Sequence, residues 1–110
     1  MSIIKRHGSV TVLRPDGPLR EENVAAIHDE VSHYLSGGVP YVIVDLADAP
    51  LIDGAGLEWI LDLDEVCCRR GGCVRLCNVG ELCQDLLRIT AVGDSVQQFS
   101  DLTTALGSFA

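Results

Sequence analysis

Apolar residues alternate along the chain between two spacings, one typical of buried strands and one typical of amphipathic helices. Short apolar runs predict four strands, in the ranges 10–13, 41–44, 73–77 and 96–99. The segments that follow each strand carry apolar residues three and four positions apart, which predicts four helices, each with one face on a sheet. The predicted order is β-α-β-α-β-α-β-α. Residues 3–7 are a candidate for an additional antiparallel strand.

Turn residues and apolar positions define the ends and faces of these helices. The first helix starts near Glu22 and is ended by Gly37-Gly38, the second ends near Gly71-Gly72, and the last is capped by residues 100–101 and continues to Leu106. The apolar faces are predicted to be Val24, Ile27, Val31, Tyr34 and Leu35 in the first helix, Leu57, Ile60, Leu61 and Cys68 in the second, and Leu82, Leu86 and Ile89 in the third.

The alternation of strands and helices predicts an α/β fold with a mostly parallel sheet and helices over it. At 110 residues, the chain has the size of one ordinary domain, and no linker or internal repeat divides it. We therefore expect residues 1–110 to form a single domain.

The charge of the chain limits the classes of partner. Sixteen acidic residues against eight basic ones give a formal net charge of −8 at pH 7, which would repel a phosphate backbone. The N-terminus has no apolar signal region, and no apolar run approaches the ~20 residues that span a bilayer. We expect a cytoplasmic protein that binds neither nucleic acid nor membrane.

Several catalytic and metal-binding chemistries lack their motifs. The single lysine, Lys5, lies near the N-terminus, so the Gly-Lys-Ser/Thr of a P-loop is absent. The five cysteines contain no Cys-x-x-Cys, and Cys73 and Cys77 on one strand would stand about 13 Å apart, too far to share a zinc ion. His28 and His33 point in different directions on their helix. We predict no metal, no cofactor and no catalytic residue, with cysteines as core filler and histidines at the surface.

The segment Asp53-Gly54-Ala55-Gly56 forms a turn at the start of the second helix. It begins like a dinucleotide fingerprint, but Trp59 occupies the third glycine position, where its bulk would prevent close packing of helix and strand. On the same helix, Trp59, Leu63 and Val66 form a second apolar stripe. Burial of that stripe in the core is slightly favoured over its exposure as a partner-binding surface.

The segments 42–46 and 51–57, with Ile60 and Leu61, resemble the STAS domain of anti-sigma factor antagonists, and the likeness extends over nearly the whole chain. The resemblance implies a STAS-like fold, with a mixed, mostly parallel sheet of four to five strands covered by about four helices. It also implies a non-catalytic signalling module that regulates bacterial transcription by switching between protein partners.

In the family, the turn usually reads Asp-Ser-Ser/Thr-Gly-Leu, and a partner kinase phosphorylates its first hydroxyl residue. That acceptor position falls on Gly54 and its neighbour on Ala55, and neither side chain can accept a phosphoryl group. The resemblance places partner binding on the turn, at Asp53, Gly54, Ala55, Gly56 and Leu57. Trp59 is added as a candidate partner-binding residue because a large exposed aromatic side chain is a typical anchor. We expect docking without the phosphate switch at this position.

Three hypotheses follow for the function. The first is an adaptor that binds an anti-sigma factor, a serine kinase-like ATPase or a scaffold. The second is a structural or self-associating unit of a larger regulatory assembly, including a homodimer, based on the Trp59-Leu63-Val66 stripe. The third is a domain that binds a small anionic ligand or a nucleotide at the helix N-terminus formed by residues 54–56.

Overall fold

A computed structural model, which describes residues 2–109, contains one five-stranded sheet and five helices. The elements in chain order are β1 Ser2–His7, β2 Val10–Pro15, α1 Glu21–Ser32, β3 Tyr41–Asp45, α2 Gly54–Arg69, β4 Cys73–Cys77, α3 Glu81–Arg88, α4 Ala91–Ser95, β5 Gln97–Phe99 and α5 Leu102–Gly107. Within the described residues, no helix is long and apolar enough to cross a bilayer.

The strands lie in the order β1-β2-β3-β4-β5, with β1 antiparallel to β2 and every other neighbouring pair parallel. This mixed, mostly parallel α/β sheet confirms the predicted fold class, including the extra antiparallel strand. The central strand β3 is buried along almost its whole length, as its continuous apolar run predicts.

Successive side chains of β3 point to opposite faces of the sheet, and two cores result. Val42 and Val44 belong to the larger core, which also contains buried residues of the first four helices. Ile43 belongs to a smaller core closed by Ala105 and its neighbours on α5. Because α2 packs in the larger core, the start of this helix lies on the same face of the sheet as that core.

Helix α1 ends earlier than predicted, at Ser32 rather than at Gly37-Gly38. After it the chain continues in tight turns, with the Tyr34 and Leu35 amides donating to carbonyls three residues back. These turns bring Leu35 into the core and leave Tyr34 38% exposed, so the expectation that both side chains face the sheet was wrong for Tyr34.

The second apolar stripe of α2 is largely buried, which confirms the core interpretation for Trp59 and Leu63. Val66, the third member of the stripe, is 43% exposed. The prediction that Cys68 faces the core was wrong, because Cys67 is buried there and Cys68 is exposed. Side chains of both stripes face inward, so the buried surface of α2 is wider than the single face that was predicted, and Cys67 lies in it instead of Cys68.

The predicted face of α3 was also wrong. Leu82 and Ile89 are 61% and 82% exposed, whereas Cys83 and Leu87 are fully buried. The chain offers two apolar pairs four residues apart, 82/86 and 83/87, which lie about 100° apart around the helix. The Cys83 thiol packs 3.7 Å from the carbonyl oxygen of Pro50 in the β3–α2 loop. The 83/87 pair is therefore the pair that is buried.

Candidate functional site

The candidate site is the surface where the loops after β2 and β3 meet the first turn of α2. Backbone bonds join these loops: the Leu19 amide donates to the Leu51 carbonyl at 2.9 Å, and the Asp53 amide donates to the Leu19 carbonyl at 3.0 Å. An ion pair of 2.8 Å between Arg14, near the end of β2, and Asp48 in the loop after β3 adds a further link. The turn is thus held against the β2–α1 loop before α2 begins.

Asp53 caps two helices with one carboxylate. Its Oδ1 accepts from the Gly56 amide at 2.9 Å in α2, and its Oδ2 accepts from the Glu21 amide at 3.0 Å at the start of α1. The bond from Gly56 and then the bond from Glu21 hold the pKa of Asp53 below its ordinary value, since both favour the charged form. The Asp53 carboxylate therefore fixes the two helix starts relative to each other.

Gly56 lies where α2 passes closest to the β2–α1 loop. A Cβ at this position would stand 2.5 Å from the Leu19 carbonyl oxygen and 2.8 Å from Cγ2 of Ile52. Real Cβ atoms do not approach other atoms so closely, so the close approach requires glycine. Gly56 was predicted as part of the turn, and this contact with Leu19 is the reason that the residue is glycine.

Gly54 is the first residue of α2 and is exposed, with no atom within 4 Å of the position a Cβ would take. Ala55 and Leu57 are half-buried, and Leu57 packs against the larger core. The structure thus brings residues 53–57 together at the surface. Nothing about the backbone at residue 54 requires glycine there.

Trp59 does not lie on this exposed surface. It is 5% exposed, and its indole Nε1 donates to Nδ1 of His28 on α1 at 3.2 Å. The ring forms part of the floor of a groove between the two helices, which we call the α1–α2 groove and which begins at Glu21 and Ala55. His28 was predicted only as a surface histidine; it is exposed, but it is also bonded to Trp59 across the helix interface.

Asp45 and Asn78 support the site from below. Oδ1 of the buried Asp45 accepts from the Ala47 amide and from Nδ2 of Asn78, both at 3.0 Å. Asn78 follows β4 with a φ of 54°, a conformation that asparagine tolerates better than most residues. A polar residue ending an apolar strand is the signal in the sequence that could have identified Asp45 as a loop anchor.

Among the described residues, no group of three or more His, Cys, Asp and Glu side chains is arranged to hold a metal ion. The five cysteines are unpaired thiols: Cys67, Cys77 and Cys83 are buried, Cys73 is half-buried and Cys68 is exposed. Burial raises the pKa of Cys67 and of Cys77 to about 12, so both stay protonated near neutral pH.

The mixed sheet and the surface turn at the start of α2 define the class of α/β domains built like the anti-sigma factor antagonists. The family model for the STAS domain matches residues 2–105. The chain belongs to the STAS domain family.

Solved structures share this fold over nearly the whole chain. An anti-sigma factor antagonist (STAS) domain protein from Planctomyces limnophilus superposes with a TM-score of 0.85 at 21% identity, covering 99% of this chain and 97% of the other. An anti-sigma factor antagonist from Mycobacterium paratuberculosis gives 0.86 at 16% identity, with coverages of 98% and 92%. The Bacillus cell fate determinant SpoIIAA in its phosphorylated form gives 0.75 at 14% identity, covering all of both chains. No curated protein sequence matches significantly.

Proposed function

We propose that this domain is a non-catalytic signalling module that docks to a protein partner through residues 53–57. The partner would be an anti-sigma factor, a serine kinase-like ATPase or a scaffold, and the module would act in the cytoplasm. The observation that carries this proposal is the exposed turn at Gly54, anchored by Asp53 to two helices. Its anchoring suits recognition by a partner, because little ordering is left to be done on binding.

The docking is proposed to be independent of phosphorylation at the turn. Gly54 and Ala55 carry no hydroxyl group, so the position that accepts phosphate in the resembled family has no acceptor atom here. SpoIIAA, a structural relative, has been solved in a phosphorylated form. Without an acceptor at this site, our domain would stay in the binding state of an unphosphorylated antagonist.

The two alternative functions have weaker support. Self-association through the apolar stripe would need exposed side chains, but Trp59 and Leu63 are 5% and 1% exposed, and only Val66 of the three is open to contact. Binding of a small anion at the start of α2 would bring a second negative charge beside the Asp53 carboxylate, which already accepts the Gly56 amide bond. Both observations favour docking of a protein.

The open space at residue 54 provides a direct test. Gly54→Ser adds the missing hydroxyl and Gly54→Ala is its matched control, since both side chains fit without contact. Each protein is incubated with ATP and a serine kinase-like ATPase that binds the wild-type chain, and binding is measured alongside intact mass. We expect all three proteins to bind, and only Gly54→Ser to gain a phosphoryl group and then lose binding.

Two results would contradict the proposal. Stoichiometric phosphorylation of the wild-type chain that abolishes binding would show that another residue controls docking. Unchanged binding by Gly54→Glu, which adds a charge and bulk to the turn, would show that the partner does not contact residue 54. Circular dichroism of each variant verifies that the fold is intact.

A further inference from the structure

The α1–α2 groove runs along both helices, from the turn toward the end of α2. Its first half has a volume of about 390 Å³, with Val24, Ala25, Ala55 and Trp59 on its apolar surface and Glu21 and Asp62 among its lining residues. Its second half, of about 270 Å³, continues past His28 to Leu35, Leu63 and Val66. The two halves are open depressions that share His28 and follow one another along the pair of helices.

Small side chains keep this groove open. Ala25 and Ala55 contribute only methyl groups to the lining, and Trp59, which lies beside them in the groove, is 5% exposed. From Ala55 to Val66 the groove extends about 17 Å at ~1.5 Å per residue, which is the length of three helical turns. Its shape and length suit a helix laid along it.

Acidic side chains dominate the middle of the groove. Helix α1 and residues 54–66 of α2 together contain eight carboxylates and neither lysine nor arginine. Glu58, Asp62 and Glu65 are exposed and follow at i, i+4 and i+7, so they form one acidic flank of α2. Arginines stand at the two ends of this stretch: Arg20 precedes α1, and Arg70 lines the far end of the second half, where its guanidinium donates to the Leu35 and Gly38 carbonyls. A cationic partner would match this flank, and an anionic one would be repelled.

We propose that the α1–α2 groove binds a cationic amphipathic helix of a partner protein. Its apolar side chains, spaced at i, i+4 and i+7, would contact Val24, Ala25 and Val66, which are the accessible apolar side chains above the covered Trp59 ring. Its lysine or arginine side chains would face Glu58 and Asp62. This is the helix-in-groove mode of recognition, with charge added for orientation. The inference goes beyond the proposed function, because it concerns a surface that the turn itself does not provide.

Trp59 makes the proposal measurable, because it is the only tryptophan of the chain and lies on the groove floor. The probe is a synthetic peptide of about four helical turns, with leucines at i, i+4 and i+7 flanked by lysines. We expect a saturable change in Trp59 fluorescence, with a dissociation constant that rises as salt is added. A peptide with the same composition but scrambled leucine positions, and one with glutamate in place of lysine, should bind at least about tenfold more weakly.

Matched variants separate the groove from the rest of the surface. Ala25→Leu fills the groove, whereas Ala26→Leu makes the same change at the adjacent exposed residue, which does not line it. Ala25→Leu should weaken peptide binding about tenfold or more and Ala26→Leu less than about twofold. Asp62→Lys, an exposed substitution, should also weaken binding and keeps the test valid if Ala25→Leu fails to fold.

Several outcomes would overturn the inference. They are the absence of a fluorescence change at millimolar peptide, equal binding of the acidic peptide, or equal loss from Ala25→Leu and Ala26→Leu. A concentration-dependent sedimentation coefficient of the protein alone, abolished by Ala25→Leu, would assign the groove to a second copy instead. Gly54→Glu should leave peptide binding intact, so failure of turn docking and failure of groove binding are distinguishable.

Discussion

Replacement of Gly56 by alanine tests the close approach on which the site is built. The added methyl would stand 2.5 Å from the Leu19 carbonyl oxygen, which cannot retreat freely because it accepts the Asp53 amide bond. Relief of the overlap must therefore lengthen that bond or move the start of α2 away from the loop. Both responses disturb the turn that presents Gly54.

The magnitude follows from opposing contributions. Alanine gains up to about 1 kcal/mol of helix propensity over glycine. Overpacking costs about 1–3 kcal/mol, and a weakened backbone hydrogen bond adds about 1 kcal/mol. We expect a net loss of about 1–3 kcal/mol in the free energy of unfolding, or a melting temperature lower by roughly 4–12 °C for a domain of this size.

Gly54→Ala is the matched control, because it makes the same change two residues earlier in the same helix, where a Cβ meets nothing within 4 Å. Urea denaturation followed by circular dichroism measures both variants under the same conditions. Gly54→Ala should be as stable as the wild type or slightly more stable. Equal stability of the two variants would refute the reasoning, since only the contact with Leu19 distinguishes them.

Three further predictions concern charge, thiols and the α3 face. Asp53→Asn should lower the melting temperature at neutral pH. The difference in melting temperature from the wild type should shrink as pH falls below about 4, because a carboxylate with a lowered pKa stabilises the fold only while it is ionised. A difference that grows in acid would contradict this. A thiol reagent at about pH 8 should modify exposed Cys68 first, while Cys67, with its pKa raised to about 12 chiefly by burial, reacts only on unfolding, as peptide mass mapping would report. In denaturant titration, Leu87→Ala should lower the free energy of unfolding by about 2–5 kcal/mol and Leu82→Ala by less than about 0.5 kcal/mol. Comparable losses from the two variants would show that α3 turns a different face to the core.

The sequence sufficed for the sheet because its strands are marked by local signals. The continuous apolar run of β3 requires burial on both faces, and the turn residues around it leave few other positions for its ends. The start of α2 was equally predictable, since aspartate is a preferred N-cap residue and Asp53 stands directly before the apolar pattern of the helix, where its carboxylate accepts from the Gly56 amide.

What the sequence could not provide depends on contacts between distant segments. The second bond of Asp53 goes to the backbone of Glu21, 32 residues away, and a backbone amide leaves no trace in residue type. The rotation of α3 was undetermined because two apolar pairs compete. Helix α4 escaped prediction because its five residues include Gly93 and resemble a loop.

The empty space around Gly54 has an evolutionary consequence. Because a side chain there would contact nothing, the stability of the fold places almost no constraint on which small residue occupies the position. One codon change could add or remove an acceptor hydroxyl without compensating changes elsewhere in the core. The fold therefore leaves the identity of residue 54 nearly free, and a substitution there would change the surface of the turn while the rest of the domain stays the same.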